Sequence, residues 1–261
     1  MALIIAGGLG YVAGVDIVEW VTKRRNPGRR RLMLHTKTVL YTSAVLLGSG
    51  FIFFLIFEWS NPVLHDSIPN KMLESLFLSV TARTAGFNTI DTSQLTNISL
   101  IMLMIFMFIG ASPGSTGGGI KTTSEAVLWG LIRSHLFNRE RVELFNRSVA
   151  HGLVARVIAI VLLQIGIIVI ATIVLQITEF GEMPHELTRG QYLEQVFEVV
   201  SAISTVGLST GITTKLSSAG LVVLMLCMYI GRVGTLVLAA VLIGERPQLG
   251  YDLPEEDVMV G

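Results

Sequence analysis

The chain has 261 residues, 51% hydrophobic and only 15% charged, with a mean hydropathy of +0.66. Nineteen basic and nineteen acidic residues cancel, so no net charge favours nucleic acid as a partner. The single cysteine, Cys227, excludes a disulfide framework within the chain and any Cys-rich metal site. Soluble domains carry about 25% charged residues, so this composition is that of a membrane protein.

In chain order, the uncharged run Met1–Val15 comes first. It has no basic residue before it, and Asp16 and Glu19 stand where a signal-peptide cleavage site would fall. It reads as a truncated spanning helix. Thr38–Phe57 follows with 20 uncharged residues, Thr92–Ile120 with 29 and Val157–Thr178 with 22. Leu216–Gly231 adds 16 and, after Arg232, continues through Val233–Gly244. A bilayer is crossed by about 20 apolar residues in a helix, so these are four spanning segments rather than the buried helices of a soluble protein.

Basic residues cluster between runs one and two (Lys23, Arg24, Arg25, Arg29, Arg30, Arg31, Lys37) and after run three (Lys121, Arg133, Arg139, Arg141, Arg147, Arg156). The other connections hold only Lys71, Arg83, Arg189 and Lys215. The positive-inside rule makes the two basic connections cytoplasmic. Met1 then lies outside with no span before it, so the chain reads as one that starts midway through a longer pattern.

The two outer connections repeat. Aligning Gly86 with Gly207, 121 residues apart, pairs Thr84 with Thr205, Phe87 with Leu208 and Thr89 with Thr210. Upstream, Leu73, Glu74 and Phe77 match Leu193, Glu194 and Phe197 with a one-residue offset. The same hydropathy order surrounds both, so each unit reads as helix, half-penetrating helix, extended loop, helix. The first run fits as the last helix of a preceding unit, its Gly7 and Gly10 resembling Gly231 and Gly234.

A loop at membrane depth cannot face lipid, but it can line a watery path. There its carbonyl oxygens replace the hydration shell of a cation. Glycine admits the positive φ that turns successive carbonyls towards one axis, and the threonines add hydroxyls without fixed charge. Short helices near 71–82 and 191–203 would aim their negative C-terminal ends at that cation. The expected ion ligands are Thr84, Ala85, Gly86 and Phe87 in one loop and Thr205, Val206, Gly207 and Leu208 in the other.

Between them, Gly110, Ala111, Ser112, Pro113, Gly114, Ser115, Thr116, Gly117, Gly118 and Gly119 interrupt an apolar run with residues that hold no regular helix. The break lines a cavity or is a passive kink for close packing. Gly114 to Thr122 superficially matches a phosphate-binding loop, but Ile120 separates the last glycine from Lys121, and a long membrane run precedes it where a strand is required. Arg232 is a lone charge in the last apolar run, expected to meet carbonyls of the 110–119 loop; snorkelling to an interface is the alternative. Arg83 is expected to pack behind the first loop and pair with an acid. Glu74 and Glu194 read as interfacial residues rather than ligands, Asp91 as a solvated loop charge, and Cys227 as packing. The histidines show no metal spacing, and no carboxylate dyad is present for acid–base catalysis.

TARTAGFNT (81–89), IGASPGSTGGGIKTT (109–123), SAISTVGLST (201–210) and IGRVGTL (230–236) are similar, in this order, to the third- and fourth-unit patterns of the TrkH/KtrB/HKT superfamily of cation transporters, closest to its bacterial KtrB branch. Thr205-Val206-Gly207-Leu208 also resembles a shortened potassium-channel filter. The resemblance implies an all-α membrane protein of repeated helix–re-entrant pore helix/filter loop–helix units, two of them complete. Residues 1–22 would end an incomplete preceding unit, 23–37 form a basic cytoplasmic linker and 38–137 the third pore unit with a broken second helix. Residues 138–152 would be a cytoplasmic linker, 153–244 the fourth pore unit and 245–261 a cytoplasmic tail. It further implies potassium, or sodium, as the transported ion with no covalently bound cofactor, and a gate made of the 110–119 loop with Lys121 and Arg232. The implied partners are the missing N-terminal half of the pore, a second full subunit and a cytoplasmic nucleotide-binding regulatory subunit docking on the basic linkers and the tail Tyr251–Gly261. The alternative is a non-transporting membrane scaffold, a remnant of such a transporter.

Overall fold

The computed structural model describes residues 1–22, 32–64, 67–139, 141–181, 183–188 and 190–234. Nine α-helices and one small hairpin are found among these residues: α1 Ala2–Gly8, α2 Tyr11–Thr22, α3 Leu34–Phe57, α4 Ile68–Thr81, α5 Asn97–Phe108, α6 Thr122–Leu136, β1 Glu143–Leu144, β2 Arg147–Ser148, α7 His151–Phe180, α8 Gln191–Ile203 and α9 Ser218–Val233. Helices α3 and α7 are long and apolar enough to cross a bilayer. Isoleucine, leucine and valine surround α7 on every side, and Leu162, Val169, Ile170, Ile173 and Ile177 are exposed, as lipid as solvent requires.

The unit inferred from sequence recurs in space. Each long helix (α3, α7) is followed by a short one (α4, α8), an irregular return and an apolar helix (α5, α9). Ser79 Oγ of α4 donates to the Leu47 carbonyl at 2.9 Å, and a side chain at Gly50 would collide with that hydroxyl, so glycine lets α4 lie against α3. Gln195 of α8, fully buried, accepts from Gln176 of α7 at 2.6 Å.

Each unit is closed by a carboxylate. Glu58, at the end of α3, accepts from the Thr96 backbone N–H at 3.0 Å and its hydroxyl at 2.7 Å. Glu179, 121 residues later, does the same for Ser217, whose N–H lies 3.1 and 3.0 Å from its two oxygens and whose hydroxyl donates at 2.6 Å. Thr96 and Ser217 are the N-caps of α5 and α9 and accept in turn from Ser99 and Gly220. The carboxylates thus satisfy donors at a helix start and favour its positive end. Glu58→Ala leaves these donors bare in a buried site, and we expect a loss of about 1–3 kcal/mol of stability, read as a lower Tm in detergent; Glu58→Gln loses less.

One expectation is corrected. The first apolar run is not one spanning helix: α1 and α2 meet at 104°, with Leu9 and Gly10 at the break. Gly10 has φ +80°, and a Cβ there would lie 2.4 Å from the Pro113 carbonyl oxygen, so the bend accommodates another loop. The run Thr92–Ile120 holds the twelve-residue α5 as its α-helix, and the 110–119 interruption follows it. The 138–152 connection contains a hairpin, whose two turn residues Phe145 and Asn146 have φ +49° and +60°, the paired left-handed geometry of tight hairpins. Its Val142 packs with Val127, Val154 and Val157. Most of the basic linker, the last apolar run beyond Gly234 and the tail lie outside the described residues.

Candidate functional site

The two return loops begin where α4 and α8 end. In both, the backbone turns at threonine and again at glycine: φ is +61° at Thr84 and +71° at Gly86, then +52° at Thr205 and +90° at Gly207. Positive φ at a β-branched residue is a strained state that surrounding contacts must hold. Glycine at the second turn was legible; the threonine turn was not. Hydrogen bonds secure both loops, with Thr81 Oγ1 donating to the Phe87 carbonyl at 2.7 Å, and the Gly207 N–H donating to Ser201 Oγ at 3.2 Å.

The loops lie side by side. A Cβ at Gly86 would approach the Val206 carbonyl oxygen to 2.2 Å and the Gly207 Cα to 3.4 Å. Val206 and Leu208 are buried in the same apolar cluster as Leu78, Leu103 and Phe106 of the preceding unit. Packing across the units therefore sets the spacing of the loops.

The ten-residue interruption meets both loops. Its neck is closed where the Ile120 N–H donates to the Phe108 carbonyl at 3.0 Å and the Gly110 N–H to the Ile120 carbonyl at 2.9 Å. Ile109 and Ile120 pair in parallel, so the chain leaves and rejoins the same course, and α5 and α6 are halves of one interrupted segment. At the tip, the Gly118 N–H donates to Thr205 Oγ1 at 2.9 Å. A side chain at Gly117 would strike Thr84 Oγ1 at 2.3 Å, and one at Gly118 would strike Thr205 Oγ1 at 2.4 Å. Two glycines thus bring the loop under the two threonines. It is also tied to the α1–α2 break, Ser112 N–H donating to the Gly8 carbonyl and Tyr11 N–H to that of Gly114.

Both predicted cations point into this loop. Arg232, near the end of α9, donates from Nη1 to the Thr116 carbonyl. Lys121 Nζ donates to the Gly117 carbonyl at 2.6 Å. The lysine that resembled a phosphate ligand is therefore engaged by the loop itself, and helices stand on both sides of it. Arg83 donates from Nη1 to the Ser43 carbonyl of α3 at 3.5 Å, and the expected pairing with an acid is not found among the described residues. Asp91 caps the turn Thr92–Gln94; hydrogen bonds from the Ser93 hydroxyl and N–H hold its carboxyl below the usual range.

Sequence reasoning missed Glu198. Buried in α8, it accepts from Ser209 Oγ at 2.5 Å, Thr210 N–H at 3.1 Å and Thr213 Oγ1 at 2.8 Å. One carboxylate thereby holds the strand that leaves Leu208. In the alignment that pairs Phe77 with Phe197 its counterpart is Leu78, so no repeat marks it. No group of acids, histidines and cysteine suited to a metal ion occurs among the described residues.

Re-entrant helix–loop pairs, a broken helix seated against both, and long helices with exposed apolar sides define an all-α membrane protein built from repeated units. The family described as "TrkH: Cation transport protein" matches residues 1–249, and the chain belongs to it. It is 37% identical over its whole length to the potassium/sodium uptake protein NtpJ of Enterococcus hirae, covering 56% of that protein. It is 35% identical to the Ktr system potassium uptake protein B of Vibrio alginolyticus, over 99% of this chain and 54% of the other. The crystal structure of the potassium transporter TrkH from Vibrio parahaemolyticus shares the fold, with a TM-score of 0.68 at 17% identity, over 92% of this chain and 50% of that one. The chain spans about half the length of the curated relatives it matches.

Proposed function

We propose that the chain forms two quadrants of a pore for potassium, with sodium as the alternative ion, across the cytoplasmic membrane. Carbonyls of Thr84–Phe87 and Thr205–Leu208 line its filter. The observation that carries this reading is the paired threonine–glycine turn, repeated at a 121-residue interval with both threonines over one loop. Positive φ at alternate residues points backbone oxygens to one side, and oxygens in such a ring take the place of water around a cation. The C-terminal ends of α4 and α8, directly before the loops, add negative potential.

The loop 110–119 closes the path beneath the filter. Arg232 and Lys121 hold it by charge-assisted bonds to its carbonyls, and their positive charge opposes a cation at that level. The remaining quadrants come from sequence corresponding to the half of the relatives that this chain does not span. Full subunits pair as dimers, and a cytoplasmic nucleotide-binding regulatory subunit docks on the basic linkers and the acidic tail. Relatives named for potassium and for potassium/sodium uptake support a monovalent cation.

The test is rubidium uptake in bacteria lacking their own potassium uptake, expressing the chain alone and together with an N-terminal half from a related subunit. Uptake only in the second case, lost with Gly207→Ser, is the expected result. Uptake by the chain alone would mean a pore closed by copies of this chain, and none in either case, with the protein inserted, would leave a scaffold. Arg232→Gln removes one tie on the loop; we expect uptake through the completed pore to rise by about tenfold, since a charge-assisted bond contributes about 1.5–3 kcal/mol.

A further inference from the structure

We propose that the cleft between α3, α6 and the hairpin binds one anionic phospholipid. The cleft encloses about 600 Å3, with Tyr41 and Val45 of α3, Trp129 of α6, and Leu144 and Phe145 of the hairpin among its walls. The rings of Tyr41 and Phe145 meet edge to face at 5.8 Å. The absence of a side chain at Gly130 lets Val142 and Leu144 close one end against α6. At its other side the cleft shares Arg133 and Glu143 with a polar space of about 200 Å3, which Arg139 and Arg141 also line.

The charges there do not cancel. Glu143 pairs with Arg139 at 2.8 Å, and Glu125, the other acid of the cleft, stands about two helical turns from Arg133 along α6. Among the described residues that line the two spaces, Arg133 and Arg141 remain as excess positive charge. Thr38, Tyr41 and Thr42 fall in the first turns of α3, so the cleft lies at one end of a span, where a bilayer has its headgroups. An aromatic slot that ends in arginines at that level fits an amphiphile with an acyl chain and an anionic head. A soluble anion fills only the arginine end, and a zwitterionic lipid brings a cation of its own beside the arginines. This inference rests on the chain spanning a bilayer and not on cation passage.

Native mass spectrometry of the full chain in detergent tests it, with phosphatidylglycerol and phosphatidylcholine of the same acyl chains as probes. One phosphatidylglycerol bound per chain is expected, about tenfold tighter than phosphatidylcholine. R133A/R141A should weaken phosphatidylglycerol by about tenfold or more and leave phosphatidylcholine unchanged. V45W, which fills the slot, should abolish both; V45F is the smaller block if V45W unfolds. R156A, on α7 outside the cleft, should change nothing. Equal binding of the two lipids, or phosphatidylglycerol binding that survives both the arginine and the Val45 variants, would overturn the proposal. Displacement by millimolar glycerol 3-phosphate would overturn it too, in favour of a soluble phosphate ligand.

Discussion

Gly86→Ala is expected to reduce rubidium uptake through the completed pore by at least about tenfold, and to lower the stability of the chain as well. Two costs coincide at this position. At φ +71° an alanine is held in the left-handed region, and its Cβ would lie 2.2 Å from the Val206 carbonyl oxygen, a proposed ion ligand. Backbone cannot yield there as a flexible side chain would, so the neighbouring loop must shift. Gly207 separates the two effects. Its φ of +90° imposes the same strain, but the nearest atom to an added Cβ is the Gly86 Cα at 3.9 Å. Gly207→Ala should therefore lose uptake with a smaller drop in Tm than Gly86→Ala. Equal uptake by wild type and both variants would remove the filter assignment.

Glu198→Ala should lower the unfolding free energy by roughly 3 kcal/mol, because three donors lose one acceptor group in a buried place. Its functional effect should exceed its structural one. Ser209 and Thr210 directly follow Leu208, and the carboxylate holds both, so without it the strand is free to widen the fourth-unit loop. We expect the preference for rubidium over sodium to fall severalfold in Glu198→Ala, with partial recovery in Glu198→Gln, which keeps one oxygen acceptor. Hydrogen exchange at residues 205–213 checks the brace without any transport. It should quicken in Glu198→Ala while the Glu58–Thr96 lock stays protected; unchanged exchange there would show that Glu198 does not hold the loop.

How much was legible depended on whether a feature repeats. The Thr84–Gly86 and Thr205–Gly207 loops announce themselves because the same pattern recurs after 121 residues within the same hydropathy order. The Glu58–Thr96 and Glu179–Ser217 locks obey that interval too, so a residue-by-residue comparison of the units carries them, although neither hydropathy nor glycine content points to them. Glu198 does not: its counterpart is Leu78, and an isolated glutamate in an apolar helix has the same appearance whether it braces a loop or lies at an interface.

The sequence by itself determined that this is a multi-spanning protein with two related units and a broken segment within the first of them. Those properties follow from local composition: apolar runs partition into lipid as helices, and glycine with proline ends a helix wherever it stands. Only the tertiary structure decided that the broken segment lies against both threonines, that Arg232 reaches Thr116, and that the first apolar run bends by 104°. Gly118 and Thr205 are 87 residues apart. Their contact exists because two units pack through one apolar cluster and leave a space that only glycine backbone enters, and no window along the chain contains that fit.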